Sequence, residues 1–134
     1  MKNAALFLKN HNLSNGKLGV TGFCFGGAVS NYLATELKDN LLASAPFYGS
    51  AAKLEEVKNI KAKMLIHYAS DDPRVNAMKE DYEKALKANK VDYEMFVYPD
   101  TKHGFHNNST PRYKKDAADL AWQRTIQLFK KRLT

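Results

Sequence analysis

Short apolar runs alternate with longer segments of helical periodicity along this chain. Four of the runs, four to eight residues long, are bounded by glycine, proline or polar residues, as is typical of buried strands. They predict strands over 18–21, 41–48, 63–68 and 93–98. Elsewhere, apolar residues recur three and four positions apart, as on one face of a helix. Helices are predicted over 3–10, 28–37, 75–89 and 113–133, with a loop or short helix over 51–59.

Strands that alternate with helices favour one parallel sheet covered by helices on both faces. A chain of 134 residues can build its own hydrophobic core, and neither an internal repeat nor a linker interrupts it. We therefore predict an α/β fold of about four mostly parallel strands, in a single domain over 1–134. Ligands of such sheets bind beyond the carboxyl ends of the strands. The residues that follow each strand are thus the first candidates for a functional site.

A glycine-rich turn follows the first predicted strand. Gly22, Cys24 and Gly26 form a G-x-C-x-G pattern, which is that of a nucleophile elbow with cysteine in the serine position. We expect glycine on both sides of the cysteine because strand and helix pass too close for a Cβ atom. The positive end of the following helix would favour a thiolate at Cys24. The alternative is a buried, inert cysteine in a tight turn.

Chemically competent side chains follow two further strands. Asp71 and Asp72 come after the third strand, and His103 and His106 come after the fourth. Together with Cys24 they place a thiol, a carboxylate and an imidazole at one edge of the predicted sheet. Their chain order is nucleophile, acid and histidine, as in α/β-hydrolases. The coincidence of residue type, order and sheet edge is more specific than any one of these residues.

These three groups together support nucleophilic catalysis. A free thiol is only slightly ionised near neutral pH. His103 can accept the proton of Cys24 and later deliver it to the leaving oxygen. Asp72 can accept a hydrogen bond from the other ring nitrogen, which fixes the tautomer. The backbone N–H of Phe25, next after the nucleophile, can donate to the oxyanion.

The residues alone leave several assignments open. Asp71 could replace Asp72 as the acid, and His106 could replace His103 as the base. His67 lies inside a predicted strand and is interpreted as a core histidine with satisfied ring nitrogens. A metal site would leave the glycines of the elbow without a purpose, and the turn does not match the G-x-G-x-x-G pattern of dinucleotide binding. We therefore expect neither a metal nor another cofactor.

The charge and the termini exclude some classes of partner. The net charge is +7, yet most lysines stand beside acidic residues, as over 79–84. This indicates a solvated surface, so we expect no nucleic-acid partner. No apolar stretch is long enough for a membrane-spanning helix, and 1–10 lacks the apolar core of a signal peptide. A single cysteine fits a reducing compartment, which predicts a cytoplasmic location without membrane partners.

Further motifs carry a family resemblance along nearly the whole chain. They are the elbow over 22–27 and the segments 46–49, 72–76, 98–99, 103–107, 110–113 and 121–125. In these motifs the chain resembles the dienelactone hydrolase (carboxymethylenebutenolidase) family of α/β-hydrolases. The resemblance implies hydrolysis of a small-molecule ester or lactone. It also implies a Cys–His–Asp triad, which maps onto Cys24, His103 and Asp72.

The chain departs from the family in two respects. It resembles only the C-terminal half of the family's domain, so it is a partial α/β-hydrolase fold without the loop that supplies a second oxyanion donor. Asn107 stands where dienelactone hydrolases proper have an arginine for the substrate carboxylate. Two rival interpretations follow: a truncated, non-catalytic remnant, or a thiol-based redox or binding role for Cys24. The first strand would become a sheet edge, which predicts a homodimer through this strand or through 1–10.

Overall fold

Four parallel strands form one sheet in the order β1-β2-β3-β4. The structure is a computed structural model that describes all residues from Met1 to Thr134. The strands are β1 (Gly19–Phe23), β2 (Ala43–Phe47), β3 (Lys63–Asp71) and β4 (Tyr93–Lys102). The helices are α1 (Lys2–Asn10), α2 (Phe25–Leu37), α3 (Pro73–Asn76), α4 (Lys79–Ala88) and α5 (Lys115–Leu133), with short 3₁₀ helices at Lys38–Asn40 and Leu54–Asn59. The predicted α/β class and the four parallel strands are confirmed.

The sheet separates two hydrophobic clusters. Alternate side chains of a strand point to opposite faces, and β3 shows the consequence. Met64, Ile66 and Tyr68 pack in one cluster with buried residues of α2 and α4. Ala69 belongs to the other cluster, which includes two alanines of α5. Helices therefore cover both faces, and each of them is too short or too polar to cross a lipid bilayer.

The helix predicted over 75–89 is broken in two. α3 ends at Asn76 and α4 begins at Lys79, because Met78 leaves the helical conformation with φ −101° and ψ 3°. The periodicity continues across the break since both pieces bury residues in the same cluster, among them Val75, Tyr82 and Leu86. Met78, at the break, is exposed. The sequence pattern thus identified the buried face of this segment but concealed the interruption.

The fourth strand continues past its predicted end at Tyr98, the residue before Pro99. The ladder between β3 and β4 is regular from Met64 opposite Tyr93 to Ala69 opposite Tyr98. After an irregularity it resumes, with Asp71 opposite Lys102. Pro99 has no N–H and cannot donate to a ladder, which is why its position suggested the end of the strand. The irregularity instead carries the chain through a bulge.

His67 is fully buried in β3 and both of its ring nitrogens are hydrogen-bonded. The Thr125 hydroxyl donates to the Ala121 carbonyl, so it accepts the His67 Nε2–H at 3.0 Å. Nδ1 then accepts from the Tyr98 hydroxyl at 2.9 Å, and Arg124 donates to the same Tyr98 oxygen at 3.1 Å. Burial, and secondarily the charge of Arg124, lower the pKa of His67 to about 3. The imidazole is therefore neutral and structural.

This burial makes the fold sensitive to acid. The unfolded chain binds a proton at His67 below about pH 6.5, whereas the folded chain does not bind it until about pH 3. The contribution of neutral His67 to the free energy of unfolding is complete above pH ~6.5. It is lost at about 1.4 kcal/mol per pH unit as the pH falls from there toward 3. Urea unfolding of the wild type between these limits should therefore show a steeper pH dependence than unfolding of His67→Gln. Equal slopes in the two proteins would contradict the buried neutral histidine.

Candidate active site

Cys24 occupies the tip of a strained turn between β1 and α2. Its φ of 57° and ψ of −116° lie in a region that side-chain-bearing residues rarely adopt. Two backbone bonds hold it there: the Cys24 N–H donates to the Phe47 carbonyl, and the Ala28 N–H donates to the Cys24 carbonyl, each at 3.1 Å. The thiol is exposed beside the first turn of α2. This is the geometry expected of a nucleophile elbow.

Close backbone packing explains three glycines around the elbow. A Cβ atom on Gly22 would lie 2.2 Å from the Gly26 carbonyl oxygen. One on Gly27 would lie 2.4 Å from the Phe47 carbonyl oxygen, and one on Gly49 would lie 2.2 Å from the Gly27 carbonyl carbon. A Cβ on Gly26 would meet nothing within 4 Å. The expectation of a steric need on both sides of Cys24 is therefore wrong for Gly26, and the need lies at Gly27 and Gly49.

The structure brings Cys24, His103 and Asp72 into one hydrogen-bonded chain. Cys24 Sγ lies 3.0 Å from His103 Nε2, and His103 Nδ1 lies 2.6 Å from Asp72 Oδ2. A carboxylate only accepts hydrogen bonds, so Nδ1 carries the proton and Nε2 faces the sulfur with its lone pair. The His103 side chain is mostly buried and Asp72 is buried. This arrangement can remove a proton from the thiol and stabilise the resulting imidazolium.

Asp72, rather than Asp71, reaches the imidazole because it caps α3. Its other carboxylate oxygen, Oδ1, accepts the Val75 N–H at 3.4 Å, and Pro73 occupies the first helical position. Capping of this kind fixes the side chain close to the backbone. Asp71 is the last residue of β3, is exposed, and makes no side-chain hydrogen bond. The two adjacent carboxylates therefore have different environments.

A cavity of about 620 Å³ opens beside the sulfur. Its walls are Phe23, Cys24, Tyr48, His103, Gly104, His106, Asn107, Asn108 and Arg112. His106 stacks on Phe23 at 4.9 Å between ring centroids, and burial lowers its pKa, so it lines the cavity as a neutral ring. Arg112 supplies the permanent charge, and no carboxylate lines the cavity. His106 is therefore a wall residue here, whereas His103 contacts the sulfur.

Tyr48 and Cys24 also line a second, smaller cavity. The smaller cavity, of about 190 Å³, also borders Phe25, Ser50 and Arg74. The Tyr48 ring lies edge-on to His103, with centroids 5.0 Å apart, and its backbone has a positive φ of 35°. Burial raises the pKa of Tyr48 to about 12, with a smaller contribution from Cys24. The phenol is thus a neutral wall that holds the imidazole in place.

The sequence reasoning missed Tyr48, Arg74 and Arg112. Tyr48 directly follows β2, so the rule that ligands bind at the carboxyl ends of parallel strands would have found it. The two arginines stand in segments 72–76 and 110–113, which carry the family resemblance, but no role was assigned to them. They reach the cavities from α3 and from the loop before α5. No three histidine, cysteine, aspartate or glutamate side chains converge on a point where a metal ion could bind.

Comparisons with known proteins place this chain in a family. The sequence matches the dienelactone hydrolase family over residues 1–133. It is 38% identical to Protein usf of Aquifex pyrophilus and 36% identical to a provisionally named carboxymethylenebutenolidase of Saccharolobus solfataricus, each alignment covering 88% of this chain. These alignments cover 52% and 45% of the relatives, so the chain spans about half the length of the curated relatives it matches.

A solved structure shares the fold. The crystal structure of a provisionally named dienelactone hydrolase from Klebsiella pneumoniae superposes with a TM-score of 0.85 at 25% identity. The match covers 95% of this chain and 57% of that chain. The fold described above therefore has a counterpart in a longer chain.

The glycine contacts predict opposite effects of two neighbouring substitutions. Gly22→Ala forces a Cβ into the Gly26 carbonyl and should destabilise the fold by about 3 kcal/mol or more. Gly26→Ala adds a Cβ in open space and restricts the unfolded chain, so it should be neutral or stabilise by up to about 1 kcal/mol. Urea unfolding of both variants measures the difference. Equal losses of stability would show that the close approach at Gly22 is not limiting.

Proposed function

Because this chain belongs to the dienelactone hydrolase family, we propose that it hydrolyses carboxylic ester or lactone bonds through Cys24, His103 and Asp72. The observation that carries the proposal is the continuous chain of contacts from sulfur to carboxylate, at 3.0 and 2.6 Å. Both distances are short enough for proton transfer and for a charge-assisted hydrogen bond. A free thiol nucleophile also suits a reducing compartment such as the cytoplasm.

Acylation begins when Nε2 of His103 takes the proton of the Cys24 thiol. The thiolate attacks the carbonyl carbon and the C–S bond forms. The π electrons of the carbonyl move to its oxygen, which becomes an oxyanion. The N–H of Phe25 lies in the first turn of α2, where amides have no helical partner, and it donates to that oxyanion. When the intermediate collapses, the C–O bond breaks and the leaving oxygen takes the proton from His103. A lactone opens in this step and stays attached through its acyl end.

Deacylation repeats these steps with water. His103 removes a proton from a water molecule, whose oxygen attacks the thioester carbon. Collapse of the second oxyanion breaks the C–S bond, and the sulfur recovers the proton from His103. Asp72 stabilises the imidazolium in both halves of the reaction through Nδ1.

The cavity beside the sulfur indicates which substrates suit the site. Its volume of about 620 Å³ fits a small molecule. Arg112 makes it favourable to neutral or anionic substrates and unfavourable to cations. Asn107 lines it as well, and its side-chain oxygen already accepts from the Ser109 N–H and hydroxyl, at 3.0 and 2.7 Å. A substrate carboxylate would pair with the charge of Arg112, whereas Asn107 can offer it only a neutral amide N–H.

We expect slow turnover from this chain by itself. Phe25 is the one oxyanion donor assigned here, and loss of a single donor costs about 10²–10³-fold in kcat. The remnant interpretation predicts no Cys24-dependent turnover at all. A purely redox or binding role predicts reactivity of Cys24 that does not depend on Asp72.

Two matched pairs of variants test the assignment of base and acid. His103→Gln and Asp72→Asn should lower the rate of p-nitrophenyl acetate hydrolysis by about 10²–10⁴-fold. His103→Gln removes the base, and Asp72→Asn removes the carboxylate that fixes its tautomer and stabilises the imidazolium. Asp71→Asn is the control for the acid and should retain the wild-type rate within a few fold. His106→Gln changes the cavity wall and should lower the rate much less than His103→Gln does. The measurement is p-nitrophenolate release at neutral pH, with the rate of Cys24→Ala subtracted. A loss of activity confined to the His106 or Asp71 variant would reverse the assignment.

The same proposal includes assembly as a homodimer. β1 pairs only with β2 and is therefore a sheet edge. Large apolar side chains are exposed nearby on two helices: Phe7 and Leu8 on α1, and Phe25 and Tyr32 on α2. An unpaired edge and an apolar patch together mark an interface. A two-fold dimer that buries this side would cover both features.

Light scattering tests the dimer at micromolar concentration. The wild type should have twice the mass of the 15.1 kDa chain. The double variant Phe7→Ser/Leu8→Ser should shift toward the monomer, because apolar residues at the centre of an interface dominate its energy. Leu120→Ser, an exposed apolar position on α5, is the control and should remain dimeric. A monomeric wild type would refute this part of the proposal.

A further inference from the structure

The register between β3 and β4 changes just before the acid and the histidine. As far as Tyr98 opposite Ala69, residues of β4 stand 29 positions after their partners in β3. At Lys102 opposite Asp71, they stand 31 positions after them. The single residue Ser70 on β3 therefore faces three residues on β4, which are Pro99, Asp100 and Thr101.

This shift decides which residue faces the acid. With the register of 29, Asp72 would be level with Thr101. With the register of 31, it is level with His103, whose Nδ1 lies 2.6 Å from the Asp72 carboxylate. One residue along a strand spans about 3.3 Å, so two extra residues correspond to a displacement far longer than a hydrogen bond. The bulge thus brings the imidazole to the carboxylate.

Two hydroxyl groups replace the ladder within the bulge. The Ser70 N–H donates to Thr101 Oγ1 at 3.1 Å, and that hydroxyl donates to the Tyr98 carbonyl at 2.6 Å. Ser70 Oγ accepts the Thr101 N–H at 3.2 Å and donates to the Thr101 carbonyl at 3.3 Å. Thr101 is buried, with 1% of its surface exposed. Buried backbone groups need partners, and a bulge removes their ladder partners, so these hydroxyls determine whether this bulge is stable.

We propose that Ser70 and Thr101 form a hydroxyl clasp that positions His103 against Asp72. Each member stands two residues before one partner of the pair. Three of the four hydrogen bonds join β3 to β4 and fix the ends of these strands relative to each other, and the fourth holds the Thr101 hydroxyl within β4. Neither residue is assigned to contact substrate, so both are positioning residues. Their importance for catalysis rests on the proposed function, whereas their effect on the Asp72–His103 hydrogen bond does not.

NMR and alkylation kinetics test the clasp. Thr101→Val preserves shape but removes the hydroxyl, Thr101→Ser retains it, and Ser70→Ala removes the exposed partner. Thr35→Val is the control, since Thr35 is buried and its hydroxyl also donates to a backbone carbonyl, that of Tyr32 at 2.8 Å. The probes are the Nδ1–H resonance of His103 and the rate at which iodoacetamide alkylates Cys24 at neutral pH.

We expect Thr101→Val and Ser70→Ala to lose the downfield Nδ1–H resonance that marks the bond to Asp72. Alkylation should slow by about tenfold, because His103 is then no longer held where it can take the proton of the Cys24 thiol. Thr101→Ser and Thr35→Val should keep both signals, even where Thr35→Val lowers the melting temperature as much as Thr101→Val does.

Persistence of the resonance and of the alkylation rate in Thr101→Val and Ser70→Ala would overturn the clasp. Should Thr101→Val fail to fold by circular dichroism, Ser70→Ala decides the matter, because position 70 is at the surface. Absence of the resonance from the wild type would also overturn it. A wild type that shows the resonance but hydrolyses no ester would refute the proposed function and leave the clasp standing.

Discussion

The arrangement around Cys24 depends on three backbone segments that pass closer together than side chains would allow. The end of β1 meets the first turn of α2 at Gly22, and that turn meets the end of β2 at Gly27 and Gly49. This contact lets the Cys24 N–H reach the Phe47 carbonyl and holds the cysteine at a positive φ. The strain is confined to one residue and is supported by two backbone hydrogen bonds. On a looser turn, the sulfur of Cys24 would not keep a fixed position relative to the His103 ring.

The partners of Cys24 are positioned by a different device, the offset between β3 and β4. Parallel strands bring their carboxyl ends to one edge, but that rule alone does not bring two particular side chains into contact. The bulge at Pro99 and Asp100 advances β4 by two positions, and the cap of α3 turns Asp72 toward His103. The walls of the site then follow from neighbouring elements, with Tyr48 after β2 and Arg112 before α5.

Much of this was predictable because it depends on local patterns. Alternation of short apolar runs with helical stripes predicted the α/β class, and the G-x-C-x-G turn and the strand ends predicted which side chains share an edge. It was also predicted, from the place of His67 inside a strand, that this histidine is buried with both ring nitrogens hydrogen-bonded. What the sequence did not reveal depends on long-range geometry. Pro99 was interpreted as a strand end because it has no N–H, whereas the bulge that accommodates it depends on hydroxyls of Ser70 on β3 and Thr101 on β4. Gly26 was given a steric role that the structure assigns to Gly27 and Gly49.

The central claim is that Cys24 is a nucleophile activated by His103, and acyl transfer to its sulfur tests that claim most directly. The protein is mixed with p-nitrophenyl acetate, quenched with acid after a short interval and examined by peptide mass spectrometry. Our account predicts one acetyl group on the peptide that contains Cys24 in the wild type, and little or none there in His103→Gln at the same time point. Release of p-nitrophenol without acetyl on that peptide, or equal labelling in both proteins, would contradict it.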